Sequence, residues 1–159
     1  MFKRKQFTNA FLQISKEHKI VKEFITDFKS LIDAGPQAGN LQTLKDKTKI
    51  LKEDLFEHFQ LEEQVLFPAA LLAMPSVELA DRILLLTREH GAFERDVMTL
   101  KQIVACHPEK DPNIPQNTLD FLVTFVENLE SHTRIEMDEL FPRMDQNKKC
   151  TEVIRDFVD

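Results

Sequence analysis

Two short segments of the sequence carry the same arrangement of side chains that can bind a metal. Residues 58–68 and 132–142 both read His-x3-Glu-x3-Leu-Phe-Pro. Residues four apart in an α-helix lie on one side of it, so His58 and Glu62 can reach a single point, as can His132 and Glu136. An imidazole and a carboxylate that converge on one point form half of a metal site. The sequence therefore predicts two half-sites that face each other.

Two further histidines extend the pattern to four amphipathic segments. His18 and His90 each interrupt an otherwise apolar stripe, and Glu94 follows His90 by four residues. A single histidine on an apolar face is usually an ordinary core residue. Four of them are costly, since each gives up about 1.5–3 kcal/mol of apolar burial, and each buried carboxylate costs several kcal/mol more unless it is compensated. Bound cations would offset this cost. The predicted ligands are His18, His58, Glu62, His90, Glu94, His132 and Glu136.

The donor atoms indicate the kind of ion. Imidazole and carboxylate without thiolate suit iron, manganese or zinc. Four imidazoles and three carboxylates exceed what one ion normally takes. We therefore expect two ions about 3.5–4 Å apart, bridged by carboxylates and a water-derived oxygen.

Acidic residues beside the predicted ligands are expected to play no direct part. Glu63, Asp138 and Glu139 follow the ligand glutamates and are expected to face solvent, although any of them could support a ligand. Glu17 and Glu89 precede their histidines and should point about 100° away on the helix. His107 lies in a proline-rich loop and is expected at the surface without a partner.

Four long helices must position the predicted ligands. Apolar residues recur by threes and fours, which is typical of the buried stripe of a bundle helix. The predicted helices span residues 8–33, 41–67, 77–105 and 116–141. Pro68 and Pro142 favour a helix stop. Residues 69–74 are predicted as a separate short helical turn, and the polar tail ends in a short amphipathic segment. Helices of similar length joined by short loops predict an all-α, up-down-up-down four-helix bundle.

The sequence also carries a weak internal repeat. Residues 14–18 read Ile-Ser-Lys-Glu-His and residues 86–90 read Leu-Thr-Arg-Glu-His. His18 and His90 are separated by 72 residues, and His58 and His132 by 74. The first helix pair thus resembles the second, which predicts a pseudo-twofold bundle.

Composition excludes several classes of protein. The chain has 159 residues and a formal net charge of −6, so nucleic acid and anionic membranes are not expected partners. No apolar run approaches the roughly 20 residues that a membrane helix needs, and the basic start is followed by an amphipathic segment rather than a signal peptide. We expect a cytoplasmic protein of one domain over 1–159, with a bundle core at about 7–143 and a tail at 144–159. Cys106 and Cys150 have no metal or disulfide spacing and are interpreted as incidental thiols.

The repeated motif resembles the hemerythrin-like family, the His-His-Glu cation-binding domains, over nearly the whole chain. The resemblance implies a four-helix bundle around a non-haem di-iron centre, with an oxo or hydroxo bridge, that reacts with oxygen. It also implies that His18 is the ligand from the first helix and that His58 and Glu62 are a histidine and a bridging carboxylate from the second. His90 corresponds to the first histidine of the third helix, and His132 and Glu136 to the histidine and second bridging carboxylate of the fourth.

Two departures separate this chain from the oxygen carriers of that family. Glu94 stands where the carriers have a second histidine in the third helix, and Glu136 follows its histidine by four residues where they have an aspartate at five. The pattern is closer to the bacterial and sensor-type relatives. An added carboxylate should favour oxidised irons, which argues against a stable, reversible oxygen adduct.

Three functions follow as hypotheses. The first is a di-iron protein that binds or senses a small diatomic or redox ligand such as oxygen or nitric oxide. The second is a di-iron oxidoreductase, or an iron-handling or nitric-oxide-responsive repair protein, and Glu94 motivates it. The third is a structural bundle without metal. Manganese or zinc could substitute for iron in any metal-binding version.

Overall fold

The computed structural model describes the backbone of residues 10–158 and the side chains of residue 14 and residues 16–155. The predicted helix start at Thr8, the stripe residue Phe7 and the side chain of Phe11 lie outside the described residues. Every regular element in the described part of the chain is helical. This confirms the all-α prediction.

The helices follow the predicted segments closely. The α-helices are α1 (Ala10–Ala34), α2 (Leu41–Leu61), α3 (Phe67–Ala73), α4 (Val77–Cys106), α5 (Gln116–Ile135), α6 (Phe141–Asp145) and α7 (Lys148–Val158). Two π-helical segments join them: π1 (Glu62–Leu66) follows α2, and π2 (Glu136–Leu140) follows α5. Among the described residues, no helix combines the length and apolarity that crossing a membrane requires.

The four long helices pack in a ring. Helix α1 lies against α2 and α5, and α4 lies against the same two helices from the other side. Ser76 caps α4 by accepting a hydrogen bond from the Leu79 N–H at 3.1 Å, as its residue type predicts. Gly35 and Gly39, with φ of 81° and 71°, turn the chain between α1 and α2 in a backbone conformation that favours glycine. The result is a helical bundle that encloses one central axis of side chains.

The prediction that both prolines stop their helices is wrong. Proline lacks an N–H and crowds the carbonyl four residues earlier, so an ordinary α-turn cannot continue through it unchanged. Here the turn widens, and the N–H of the phenylalanine before each proline donates to the carbonyl five residues earlier. These two bonds run from Phe67 to Glu62 and from Phe141 to Glu136. Pro68 and Pro142 then fall in the first turn of a new α-helix, where proline is tolerated. The chain stays helical to Ala73 and to Asp145.

Buried apolar side chains form two separate clusters. The first, here called the four-helix cluster, comprises Val21, Phe24, Ile25, Phe28, Leu31, Leu41, Leu44, Leu51, Leu55, Phe59, Phe93, Val97, Leu100, Val104, Ile114, Leu119, Leu122, Phe125, Val126 and Leu129. The second, here called the π-end cluster, comprises Ile14, Leu61, Val65, Leu66, Phe67, Ala69, Ala70, Leu79, Ile83, Leu86, Leu140, Phe141, Met144, Cys150 and Ile154.

A layer of histidines separates the two clusters. Along α1, Ile14 belongs to the π-end cluster and Val21 to the four-helix cluster, and His18 lies between them. On α4 and α5 the histidine likewise marks the passage from one cluster to the other, and on α2 the passage comes just after His58, between Phe59 and Leu61. We call His18, His58, His90 and His132, together with Glu62 and Glu136, the histidine belt.

Candidate metal centre

Each long helix contributes one histidine to the belt, and all four are almost completely buried. Their exposed fractions are 1% for His18, 3% for His58, 0% for His90 and 2% for His132. Glu62 and Glu136 are fully buried as well. Each is the first residue of a π-segment, so the widened turn begins at the predicted bridging carboxylate. Such π-turns occur frequently at functional sites because they re-aim side chains within a helix.

The six belt residues form two overlapping groups. One group consists of His18, His58, Glu62 and Glu136, and the other of His90, His132 and the same two glutamates. Within each group, one potential ligand atom from every residue lies within 4.8 Å of the others. The two carboxylates belong to both groups and therefore lie between two histidine pairs. This is the arrangement that two neighbouring cations bridged by carboxylates require.

The imidazoles turn their Nε2 atoms toward these carboxylates. His58 Nε2 lies 3.1 Å from Glu62 Oε1, and His90 Nε2 lies 3.4 Å from the same oxygen. His18 Nε2 lies 3.8 Å from Glu136 Oε2, and His132 Nε2 contacts Glu136 Oε1. Each glutamate thus meets one histidine of its own helix and one from a neighbouring helix.

Three other glutamates hold the outer nitrogens of the imidazoles. Each lies on a helix adjacent to its histidine. The contacts are Glu17 to His58 Nδ1 at 3.0 Å, Glu63 to His90 Nδ1 at 3.0 Å and Glu89 to His132 Nδ1 at 2.7 Å. Glu63 is exposed as expected and also supports a ligand, which the sequence analysis had left open. The expectation that Glu17 and Glu89 play no direct part is wrong. A residue next to a ligand does point away from its own helix's site, but in a bundle that direction leads to the neighbouring helix.

These hydrogen bonds determine where the histidine lone pairs point. A carboxylate only accepts, so the Nδ1–H of each of these imidazoles must donate, and Nε2 carries the lone pair whenever the ring is neutral. His90 Nε2 and His132 Nε2 are 3.1 Å apart, and with both Nδ1 atoms protonated neither Nε2 can donate to the other. Two facing lone pairs beside buried carboxylates repel unless a cation lies between them. The belt residues therefore fit a metal centre.

Unsatisfied atoms in the belt support the same conclusion. Both side-chain oxygens of Glu62 and of Glu136 are buried without a hydrogen bond of good geometry, and so are both ring nitrogens of His18. Glu62 Oε1 lies close enough to His58 Nε2 and His90 Nε2 for ion pairing, but it forms no hydrogen bond. Leaving such groups unpaired in a core costs about 1–3 kcal/mol each, and more for charged ones. Metal coordination would satisfy them all at once.

Burial and mutual charge shift the pKa values of the belt in opposite directions. Burial, reinforced by the neighbouring His58, lowers the pKa of His18 to about 3, and burial likewise lowers the pKa of His132 to about 3. Burial also disfavours the charged form of His58, but Glu62 and Glu17 outweigh it and raise the pKa of His58 to about 9. Burial would raise the pKa of Glu62, yet His58 and His90 hold it below its usual range. Near neutral pH the metal-free belt thus holds neutral His18 and His132 and an ionised Glu62, the forms that bind metals, whereas His58 is protonated and must lose a proton when a metal binds.

The remaining predicted residues lie outside the belt. Glu94 is half-buried and belongs to neither group of potential ligands, so its role as a ligand stays a prediction. Asp138 and Glu139 are exposed as expected, and Glu139 pairs with Arg82. The expectation for His107 is wrong, because its side chain is mostly buried and contacts Asp111 at 3.4 Å.

Aromatic rings enclose the belt. Phe59 stacks on His90 with centroids 3.9 Å apart, and Phe67 lies 5.7 Å from the same imidazole. Phe93 meets His132 at 5.2 Å, and Phe141 meets His18 at 5.4 Å. These apolar walls limit solvent access, which tunes the chemistry of any bound metal.

Comparisons with known proteins agree with this geometry. The family profile of the hemerythrin HHE cation binding domain matches residues 11–144. No match was found among curated proteins or among solved structures. The matched residues contain the entire histidine belt, together with Glu17, Glu63 and Glu89.

Proposed function

The chain belongs to the hemerythrin HHE cation-binding family, and from that premise we propose that the belt holds two iron ions that bind or sense a small redox ligand. The observation that carries the proposal is the position of Glu62 and Glu136, which each belong to both groups of potential ligands. One ion would be held by His18 and His58, the other by His90 and His132, and both glutamates would bridge them. Manganese or zinc would satisfy the same donors.

The donor set and the balance of charge both suit iron. Neutral imidazoles and ionised carboxylates suit iron without any thiolate. The two buried glutamates would neutralise half of the charge of two divalent ions, and Glu17, Glu63 and Glu89 add negative charge outside the imidazoles. When bound, such a pair of irons supplies one-electron redox chemistry toward oxygen or nitric oxide.

The surroundings of the belt favour a very small ligand. Phe59, Phe67, Phe93 and Phe141 cover the imidazoles, and the belt residues themselves are at most 3% exposed. A diatomic molecule can enter such a space through modest side-chain motion, whereas an organic substrate would need a cleft. We therefore prefer binding or sensing of oxygen or nitric oxide to catalysis on a larger molecule.

The wider proposal includes the architecture and the setting. Ring packing of α1, α2, α4 and α5 supports an up-down-up-down four-helix bundle, and matching contacts in the two halves support an internal pseudo-twofold repeat. A single domain and a cytoplasmic location complete the proposal, with no nucleic acid or membrane as a partner.

The alternative is a di-iron oxidoreductase or an iron-handling or nitric-oxide-responsive repair protein. Its motivation in the sequence was an additional carboxylate ligand, Glu94, and that residue lies in neither group. A site with only two central carboxylates gives less reason to expect strongly oxidising chemistry. Turnover of peroxide, nitric oxide or ferrous iron well above the rate of free iron would favour the alternative.

Iron stoichiometry with matched amide substitutions tests the proposal. We expect two irons per chain after anaerobic loading with ferrous iron, and at most one in Glu62→Gln, because that change removes an anionic donor from both groups. Glu109→Gln, at an exposed residue of the loop between α4 and α5, is the matched control and should retain two. A wild-type chain that binds no iron, manganese or zinc, or binds them no better than Glu62→Gln does, would contradict the proposal.

Exposure of the reduced protein to oxygen or nitric oxide distinguishes the ligands. A binding or sensing protein should show a new optical absorption that depends on the added gas and is absent from the Glu62→Gln variant. Rapid oxidation by oxygen without any adduct, combined with a stable nitric oxide spectrum, would assign nitric oxide as the ligand. No spectral response to either gas would rule out the sensing proposal.

A further inference from the structure

One imidazole of the belt lacks the support that the other three receive. His58, His90 and His132 each have a glutamate at the outer nitrogen, between 2.7 and 3.0 Å away. His18 Nδ1 has no hydrogen-bond partner among the described residues, although the side chain is only 1% exposed. This is an asymmetry in a site whose two halves share several other contacts.

The likeness of the halves can be followed contact by contact. The centroids of His18 and His58 are 4.7 Å apart, and those of His90 and His132 are 4.8 Å apart. Glu17 on α1 contacts the histidine of α2, just as Glu89 on α4 contacts the histidine of α5. Each corresponding pair therefore places the same residue types at similar positions.

Contacts that join one half to the other also come in matching pairs. Phe67 lies 5.7 Å from His90, and Phe141 lies 5.4 Å from His18. Glu62 approaches His90 Nε2 at 3.4 Å, and Glu136 approaches His18 Nε2 at 3.8 Å. The π-segment that begins at Glu136 therefore contacts His18 in the same way that the π-segment beginning at Glu62 contacts His90.

One contact breaks this correspondence. The residue after Glu62 is Glu63, which binds His90 Nδ1, but the residue after Glu136 is Met137. Met137 is partly buried and packs against the π-end cluster. A thioether is only a weak acceptor and carries no charge, so it cannot replace the carboxylate. The missing partner of His18 coincides with this difference in sequence.

Outer partners of this kind matter for metal binding. A carboxylate at the second ring nitrogen fixes the tautomer and orientation of the imidazole and makes it a better donor, and losing one typically lowers metal affinity by about 10–100-fold. The pair His90 and His132 has two such partners, whereas the pair His18 and His58 has one.

We propose that Met137 makes the two metal positions unequal, so that the position formed by His18 and His58 fills second and empties first. This rests on the proposed two-ion centre. The stable partly loaded state carries its ion between His90 and His132, and the second position is the exchangeable one. The inequality is set by the chain itself and does not depend on which metal is bound.

Zinc binding, followed residue by residue, tests this inference without any assay of activity. Zinc is redox-silent and diamagnetic, so ¹⁵N NMR of the imidazoles reports which histidines coordinate at each equivalent added. We expect the His90 and His132 resonances to shift with the first equivalent and those of His18 and His58 with the second. Competition with a chelator should give stepwise constants that differ by about 10–100-fold.

Two substitutions should narrow the difference between the stepwise constants, one by strengthening the second step and the other by weakening the first. Met137→Glu supplies the missing acceptor and should bring the two constants together by strengthening the second step, while Met137→Leu, which preserves size and apolar character, should leave them apart. Glu63→Gln weakens the support of His90 and should narrow the difference by weakening the first step. This second variant decides the matter if Met137→Glu does not fold.

The outcomes separate this inference from the proposed function. Binding of two zinc ions with simultaneous shifts of all four imidazoles, or with His18 and His58 first, would overturn the inference and leave the two-ion centre intact. Binding of fewer than two zinc ions at saturation would instead contradict the two-ion centre.

Discussion

The two apolar clusters on either side of the histidine belt are built differently. The four-helix cluster draws nearly all its side chains from regular stripes on α1, α2, α4 and α5, and it contains large, fully buried rings such as Phe28 and Phe125. The π-end cluster is assembled from π1, π2 and the short helices, with a smaller share from the long ones. Helix α7 covers this end by packing against α3, α6 and π1.

This difference suggests that the two clusters contribute differently to stability and to local opening. Continuous stripes in one bundle give the four-helix cluster a cooperative core, because each ring contacts several helices at once. Short helices with few contacts of their own are expected to open locally at lower free energy than the whole fold. We therefore expect the four-helix cluster to dominate global stability and the π-end cluster to control how the belt opens.

Truncation of a ring in the four-helix cluster should produce the largest effect. Phe28 is 0% exposed, and Phe28→Ala should lower the free energy of unfolding by about 3–5 kcal/mol in a urea titration of the metal-free protein. Ile50→Ala is the control, since Ile50 is 50% exposed and its loss should change stability by less than about 0.5 kcal/mol. Equal effects of the two changes would refute a dominant four-helix cluster.

A truncation in the π-end cluster should act more locally. Ile154 on α7 is 5% exposed, and Ile154→Ala should cost about 2 kcal/mol, at the low end for such a change, because α7 can detach while the bundle persists. Amide hydrogen exchange should accelerate in α7 and remain unchanged in α2 near Leu44. Leu72→Ala, on the exposed side of α3, serves as the matched control. Uniform acceleration in α7 and α2 would contradict separate opening.

Acid should destabilise the metal-free protein through the belt that divides the clusters. His18 and His132 have folded-state pKa values lowered to about 3, so between about pH 3 and 6.5 the unfolded chain binds protons that the folded chain does not. Stability therefore falls with decreasing pH in that window, by up to about 1.4 kcal/mol per pH unit for each histidine. His58 acts oppositely: its pKa is raised to about 9, so its contribution is present below about pH 6.5 and is lost as the pH rises through 9.

Denaturant titrations across pH check this window. His18→Gln should flatten the acid side of the profile, whereas Ile50→Ala, at an exposed residue outside the belt, should leave its shape unchanged. A profile in which His18→Gln and the parent chain lose stability in parallel from pH 6.5 to 3 would show that His18 does not contribute.

The two cysteines give the smallest and most local comparison. Cys106 is exposed at the end of α4, whereas Cys150 is buried in the π-end cluster and burial raises its pKa to about 11. Cys106 should react with a thiol reagent at once, and Cys150 more than about 100-fold more slowly, because reaction needs both opening and a thiolate. Ile154→Ala should shorten the delay for Cys150 and leave Cys106 unchanged. Equal rates in the parent chain would mean that α7 does not protect this end.

The sequence predicted the helices well and their irregularities poorly. Spacing by threes and fours defines a stripe whatever the neighbours are, so the four long helices and their buried faces could be predicted from local pattern. Pro68 and Pro142 were misleading because proline forbids an ordinary α-turn but not a π-turn, and only the packed π-end cluster holds the wider turn in place.

Some residues at the belt could be predicted from the sequence and others could not. The histidines and glutamates of the repeated motif could be identified because burying them without cations would be expensive. The partners of Glu17, Glu63 and Glu89 could not be assigned, although Glu63 was named as a possible support of a ligand, because each contacts a histidine on another helix and no spacing within one helix encodes that. A usable signal existed only in hindsight: each acid is adjacent in sequence to a belt residue.

The amino-acid sequence alone determined the helical class, the family and the chemistry of the central side chains, because periodicity and residue type are local properties. Tertiary structure decided which histidine faces which carboxylate, and that His18 alone among the four lacks an outer acceptor in the described part of the chain. Such pairings depend on the rotation and offset of neighbouring helices. Those quantities are fixed by packing across the whole bundle, so no single segment contains them.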